Sequence, residues 1–264
     1  MRELERELPT TATPESVSPA LAIVGAGRVG RSLEAAARAA SLDVRLAGRD
    51  DALAACRDAE VALLAVPDAA IGAVSEMLAA AVPPLRMVGH TSGATGLDAL
   101  AACVAAGAAT FSLHPLQTVP DVATDLTAAP CATSGSNPEA EELARTLAER
   151  LGMRPFMVPE EHRAAYHAAA SIASNFLVAL EESATELLAR AGVDDARELL
   201  AALVLRTAAN WAEEGAVALT GPIARGDEPT VARQREAIKE LAPELVPLYE
   251  ALAERTREIA RRPR

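Results

Sequence analysis

The chain has 264 residues and a formal net charge of −12; 50% of its residues are hydrophobic, yet only 2% are aromatic. That length allows one large domain or two ordinary ones, and a core so poor in rings must be built from alanine and leucine, which favours close-packed helices. The acidity argues against a nucleic-acid surface, which needs clustered Lys and Arg, and against attraction to anionic membranes.

The opening stretch, residues 1–18, is charged and rich in Pro, Thr and Ser. It lacks the apolar run of a signal peptide and is expected to be a flexible extension. No apolar run in the chain is long enough to span a membrane. Cys56, Cys103 and Cys131 are widely spaced with no CxxC pair, so no metal site is expected. An odd cysteine count without a signal peptide fits the cytoplasm.

From residue 19 to 158, short apolar runs alternate with helical patterns. The runs Leu21–Gly25, Val44–Gly48, Val61–Val66, Met87–Thr91, Ala109–His114, Cys131–Ser134 and Arg154–Val158 read as strands. Several are continuously apolar, as strands covered on both faces are. Helices fit between them, notably Val29–Ala40 and Glu139–Leu151. Asn137 and Pro138 supply a cap and a first-turn proline for the latter. This alternation predicts an α/β fold, a doubly wound and mostly parallel Rossmann sheet. After Pro159 the pattern is helical alone, over Glu160–Ala191, Asp194–Glu214, Thr230–Leu241 and Pro243–Arg261, with a loop over Thr220–Pro229. The expected domains are therefore 19–158 and 159–264.

The first strand runs into Gly25-Ala26-Gly27-Arg28-Val29-Gly30 and then a helix. In that context the triplet is a dinucleotide fingerprint. Gly25 permits the tight turn, Gly27 lets the backbone approach a pyrophosphate, and Gly30 allows close helix–strand packing. The helix N-terminus offers free N–H groups and partial positive charge to the phosphates. A structural turn, or a site for another nucleotide such as S-adenosylmethionine, is the competing reading. The second strand ends at Gly48-Arg49, where an NAD site usually carries Asp or Glu for the ribose 2′-hydroxyl. Arg49 suits a 2′-phosphate instead, so NADP (NADPH) is the expected cofactor, although Asp50 and Asp51 follow and Arg49 could be a solvated loop residue. Val66-Pro67 and Thr91-Ser92 sit at strand ends on the ligand edge, as candidates to line the nicotinamide or as ordinary turn residues.

The set GAGRVG, LAVPD, HTSG, SLHPLQ, YHAAASIASN and LTGPIARGD resembles a bacterial family that joins a Rossmann-like NADP-binding domain to a helical domain of unknown function. The family is itself similar to pyrroline-5-carboxylate reductase and, more distantly, to ketopantoate reductase and 6-phosphogluconate dehydrogenase. The resemblance implies a helical domain of the 6-phosphogluconate dehydrogenase C-terminal type, a homodimer, an active site between the domains, and an oxidoreductase acting on a small-molecule substrate.

On the helix after Pro159, His167, Ser171, Ser174 and Asn175 share one face at helical spacing. Short polar side chains bordered by alanines suit a cleft floor, or else a polar seam between packed helices. The more distant relatives use a helix Lys with an Asn one turn later. Matching that Asn to Asn175 puts Ser171 at the Lys position. Lys239, the sole lysine, lies in a late charged helix, so a histidine is the natural proton donor near neutral pH. His167 is the first candidate, with Ser171 and Asn175 bonding the reacting oxygen, and His114 is the second. His90 and His162 have weaker cases. In the loop, Arg225 is a candidate for holding a substrate carboxylate, and Asp227 either orients Arg225 or caps the following helix. The expected function is NADP-dependent reduction of a small carbonyl or imine. The alternatives are a dinucleotide-binding regulatory or sensor protein without turnover, and a transferase using another nucleotide-containing cofactor.

Overall fold

The computed structural model describes residues 20–81 and 83–262; the expected extension over residues 1–18 lies outside them. The described residues form two compact units that divide between Ala170 and Ser171. The change from alternating strands and helices to helices alone falls at Pro159.

The first unit contains β1 (Leu21–Val24), α1 (Arg28–Ala39), β2 (Val44–Ala47), α2 (Ala52–Cys56), β3 (Val61–Leu64), α3 (Ile71–Ala81), β4 (Met87–His90), α4 (Ala101–Ala105), β5 (Ala109–Pro115), β6 (Pro130–Gly135), α5 (Pro138–Arg150) and β7 (Arg154–Met157). The strands form one seven-stranded sheet in the order β2-β1-β3-β4-β5-β6-β7. β2 through β5 pair in parallel, β6 runs antiparallel to β5, and β7 is parallel to β6. The reversal has a simple cause. Parallel neighbours need a crossover, usually helical, and residues 116–129 between β5 and β6 contain no helix.

Alternation along β1 divides the core. Leu21 and Ile23 pack with Leu33 of α1 and Leu147 of α5 on one face. Ala22 and Val24 pack with Ile71 and Leu78 of α3 and Cys103 of α4 on the other. With helices on both faces the sheet is doubly wound, as its uninterrupted apolar strands predict. Asn137 caps α5 as expected, its side chain accepting the Ala140 N–H at 2.9 Å. The three cysteines are free and buried.

After β7, a 3₁₀ turn (Glu160–His162) leads into α6 (Arg163–Ala173). Then come α7 (Asn175–Arg190), α8 (Ala196–Glu214), α9 (Pro222–Arg225), α10 (Glu228–Leu241) and α11 (Val246–Ala260). Two expectations need correction. The single helix expected over Glu160–Ala191 is broken at Ser174, whose backbone leaves the helical region (φ −124, ψ −75). Ser and Asn side chains compete for backbone hydrogen bonds and weaken a helix interior, and Ser171-Ile172-Ala173-Ser174-Asn175 is rich in them. The segment expected to be a loop, Thr220–Pro229, contains the single turn α9 between two glycines with positive φ, Gly221 and Gly226. Its last residues open α10, where Pro229 is tolerated because the first turn needs no N–H partner. Among the described residues no helix is long and apolar enough to cross a membrane.

Candidate active site

With β1 flanked by β2 and β3, successive crossovers leave β1 in opposite directions. A doubly wound sheet opens a crevice at such a switch point, outside the carboxyl ends of its strands. Here that crevice is a cleft of about 560 Å³, floored by Gly27, Arg28 and Val29 and walled by Ala65–Asp68, Thr91–Gly93, His114, Pro115 and His167. The ends of β1, β3, β4 and β5 each contribute to it.

The three glycines behave as the fingerprint requires. Gly25 has φ +120, and a Cβ there would lie 2.2 Å from the Ala65 carbonyl oxygen. A Cβ on Gly30 would lie 1.8 Å from the Gly25 carbonyl oxygen, so the turn closes only with hydrogen at that position. Gly27 meets nothing within 4 Å: its face is open, on the side where a pyrophosphate would approach. Gly27 is also the N-cap of α1 and makes no side-chain cap, and the first turn of α1 holds no acidic residue. α5 and α10 differ, each having a side-chain cap and acidic first-turn residues. The amide donors and positive dipole end at α1 are thus left for an external anion.

Arg28 is exposed and donates to the Pro120 carbonyl at 3.3 Å. Ala26 accepts from the Arg31 guanidinium at 3.0 Å. Arg49, just past β2, is exposed and has no hydrogen bond or ion pair among the described residues. Val66 and Pro67 line the cleft, as do Thr91 and Ser92. The two hydroxyls are already engaged: Thr91 Oγ1 donates to the Leu64 carbonyl at 3.4 Å, and Ser92 Oγ accepts the N–H groups of Ala94 and Thr95. Ser92 thus shapes its own turn.

The far wall is set by a buried guanidinium that inspection of the sequence missed. Arg163, at the start of α6, is only 3% exposed. Its Nη2 donates to Glu160 Oε1 at 2.6 Å, Ser112 Oγ at 2.6 Å and Ser134 Oγ at 2.7 Å, and its Nη1 to the Ser92 carbonyl at 3.3 Å. Ser112 and Ser134 are cross-strand partners on β5 and β6, with their hydroxyls 2.9 Å apart. Burial alone would raise the Glu160 carboxyl. Hydrogen bonds from Arg163 and Ser134, the Arg163 charge and the Leu97 N–H outweigh it and hold the group below its ordinary range. The network ties the first turn of α6 to the ends of β4, β5 and β6, and so positions Tyr166 and His167.

His114 and His167 both line the cleft, with ring centroids 6.3 Å apart. His114 Nδ1 lies 2.6 Å from the Tyr166 hydroxyl. Burial, then the nearby His167 and Arg163, push His114 down to about 4, so it is neutral at physiological pH. His90 is fully buried and approaches the Gly96 carbonyl through Nε2 at 3.3 Å; it does not line the cleft, and His162 is exposed. Ser171 stays on α6, and Asn175 opens α7 beyond the break at Ser174, so the single helix on which the expected face was drawn is two helices. Asp227 takes the capping role, accepting the Thr230 N–H at 3.2 Å. Arg225 is exposed and makes no ion pair with it.

The sheet order and the glycine turn define a Rossmann-like architecture. Residues 43–115 match the family model of a Rossmann-like domain, and residues 129–256 match that described as Domain of unknown function (DUF2520). The chain therefore carries a Rossmann-like domain followed by a DUF2520 domain. No curated protein matches it. Among solved structures it is similar to protein TM1727 from Thermotoga maritima, at TM-score 0.72 and 24% identity over 91% of this chain and 98% of that one. It is also similar to Plasmodium falciparum pyrroline carboxylate reductase with NADP bound, at TM-score 0.61 and 14% identity over 92% and 99%. A third likeness is to a reductive aminase from Aspergillus terreus in complex with NADPH and ethyl-5-oxohexanoate, at TM-score 0.64 and 18% identity over 90% and 93%. At these identities the likeness is one of fold.

Proposed function

We propose that the protein is an NADP-dependent oxidoreductase that reduces a small carbonyl or imine substrate. The observation that carries this reading is the cleft itself: an uncapped helix N-terminus and an open Gly27 at one end, two histidines at the other, all at the switch point of a doubly wound sheet. A bound nicotinamide cofactor supplies the hydride. The chain's own groups then bind its phosphates through the α1 amides, orient the substrate from His114 and move a proton at His167. Arg49, exposed and unpaired, supports NADP over NAD because a guanidinium can hold a 2′-phosphate. Two similar folds were solved with NADP or NADPH, which agrees with this choice.

The test is titration of the full chain with NADPH and NADH, followed by the fluorescence of the reduced nicotinamide. NADPH should bind more tightly, and Arg49→Ala should remove about tenfold of that preference, the low end for a charge-assisted bond because the site is exposed. Equal affinities in the unaltered protein would refute the choice of NADP.

A homodimer is part of the same proposal. α7 and α8 expose large apolar side chains, including Phe176 at 62%, Leu203 at 63% and Trp211 at 66%. A second copy of this chain is the partner we propose for that surface, since exposed apolar patches mark interaction sites. The free, buried cysteines support a reducing compartment such as the cytoplasm.

A further inference from the structure

We propose that Tyr166 holds His114 as the tautomer with its proton on Nε2, so that an uncharged N–H donor faces the cleft and selects a carbonyl oxygen over a protonated imine nitrogen. The inference deepens the reading of the protein as a reductase and rests on it.

The first support is the 2.6 Å contact between His114 Nδ1 and the Tyr166 hydroxyl. One of the two must donate. A phenol is far more acidic than a neutral imidazole N–H, and an imidazole nitrogen lone pair is a better acceptor than a phenol oxygen. The favoured arrangement is therefore O–H···Nδ1, which leaves the ring proton on Nε2. Among the described residues no carboxylate bonds to His114 Nδ1.

The second support is where Nε2 lies. It makes no hydrogen bond with the described residues, and its edge of the ring rests on Gly93. A Cβ on Gly93 would lie 2.7 Å from Cε1 and 2.8 Å from Nε2. The missing side chain at the end of β4 is what lets the ring stand at the cleft wall, and both residues line the cleft.

The third is charge. Burial, then His167 and Arg163, disfavour an imidazolium at this position; Asp68 favours one and His90 opposes it, and the outcome is a value of about 4. Burial also pushes Tyr166 up to about 12, so it stays a phenol and remains a donor. A protonated imine would bring its own N–H and a positive charge against this N–H, donor to donor. A carbonyl oxygen brings lone pairs. Tyr166 is the positioning residue, and His114 the group that touches substrate.

Nitrogen NMR of the isotope-labelled full chain tests the tautomer without knowledge of the substrate, with His114→Gln assigning the signals. We expect the pattern of an Nε2-protonated ring at neutral pH, giving way to a doubly protonated ring as pH falls through about 4, and a mixed neutral pattern in Tyr166→Phe. An Nδ1-protonated ring, or a pattern unchanged in Tyr166→Phe, overturns the proposal. The second arm follows NADPH oxidation over small ketones, aldehydes and cyclic imines. Carbonyl turnover should fall about tenfold in kcat in both Tyr166→Phe and Gly93→Ala, the worth of one hydrogen bond, with NADPH affinity unchanged. Turnover of imines alone overturns it. Failure of NADPH to bind would instead sink the cofactor reading and leave the tautomer result standing.

Discussion

Replacing Arg163 with Ala should destabilise the first unit by about 3 kcal/mol, the low end of the range for breaking a buried ion pair. The figure follows from what the side chain leaves behind. Arg163 is 3% exposed, whereas Glu160 is 37% exposed, so the abandoned carboxylate can partly rehydrate. Ser112 and Ser134 keep each other, 2.9 Å apart. The Ser92 carbonyl loses a donor, and α6 loses its tie to the sheet. Urea unfolding followed by circular dichroism should show the midpoint falling by about 1–2 M for this loss. Glu160→Gln should cost less, and a double-mutant cycle should return a coupling of about 1–3 kcal/mol. Arg163→Lys should restore little, because an ammonium cannot reproduce the planar fork that reaches a carboxylate and two hydroxyls together. A loss below about 1 kcal/mol for Arg163→Ala would mean that the network is no stronger than an exposed pair, and the account of how α6 is held would be wrong.

Gly30→Ala places a methyl 1.8 Å from the Gly25 carbonyl oxygen, so it should cost about 1–3 kcal/mol in stability and abolish NADPH binding in a fluorescence titration; retained affinity would exclude the turn as the phosphate site. His114, depressed from 6.5 to about 4, gives a signed pH dependence: below its unfolded value the unfolded chain takes up a proton that the folded chain refuses. Stability is therefore complete above pH 6.5 and falls by roughly 3 kcal/mol as pH drops to about 4, and urea midpoints in His114→Gln should be flatter over that window. Sedimentation at micromolar concentration should give a dimer, and Phe176→Glu with Leu203→Glu should give a folded monomer; a monomeric unaltered protein would leave the exposed faces of α7 and α8 unexplained.

The glycine loop was legible because all its requirements are local: a strand, a positive φ, a close approach and a helix start lie within a few consecutive residues. The antiparallel direction of β6 was not read from the sequence, because strand composition alone does not report direction. Arg163 was not legible. Glu160 and Arg163 stand three apart in a charged stretch, a spacing that on most helices marks a solvated pair. The burial of Arg163 depends on Ser92, Ser112 and Ser134, which lie far away in sequence. The faint signal was Ser112 and Ser134 themselves, hydroxyls set within apolar strands where a buried polar group must find a partner.

The stripe containing His167 shows the opposite failure. Periodicity extended one helix through Ser174 and so assembled a polar face from residues on two helices. Strand ends suffer less from this error. A residue at the carboxyl end of a parallel strand is located by the hydrogen bonds of its neighbours on both sides, whereas a residue far along a helix inherits every upstream error in the helix's length. His114 is held in register by Ala132 of β6, two residues past Ser112, where the pairing of β5 with β4 ends, and it stands on the ligand edge that the sheet order alone predicts. Its place at a strand end gives His114 a positional constraint that His167, on a helix, lacks. Tyr166 adds what position cannot supply, the choice of which ring nitrogen carries the proton.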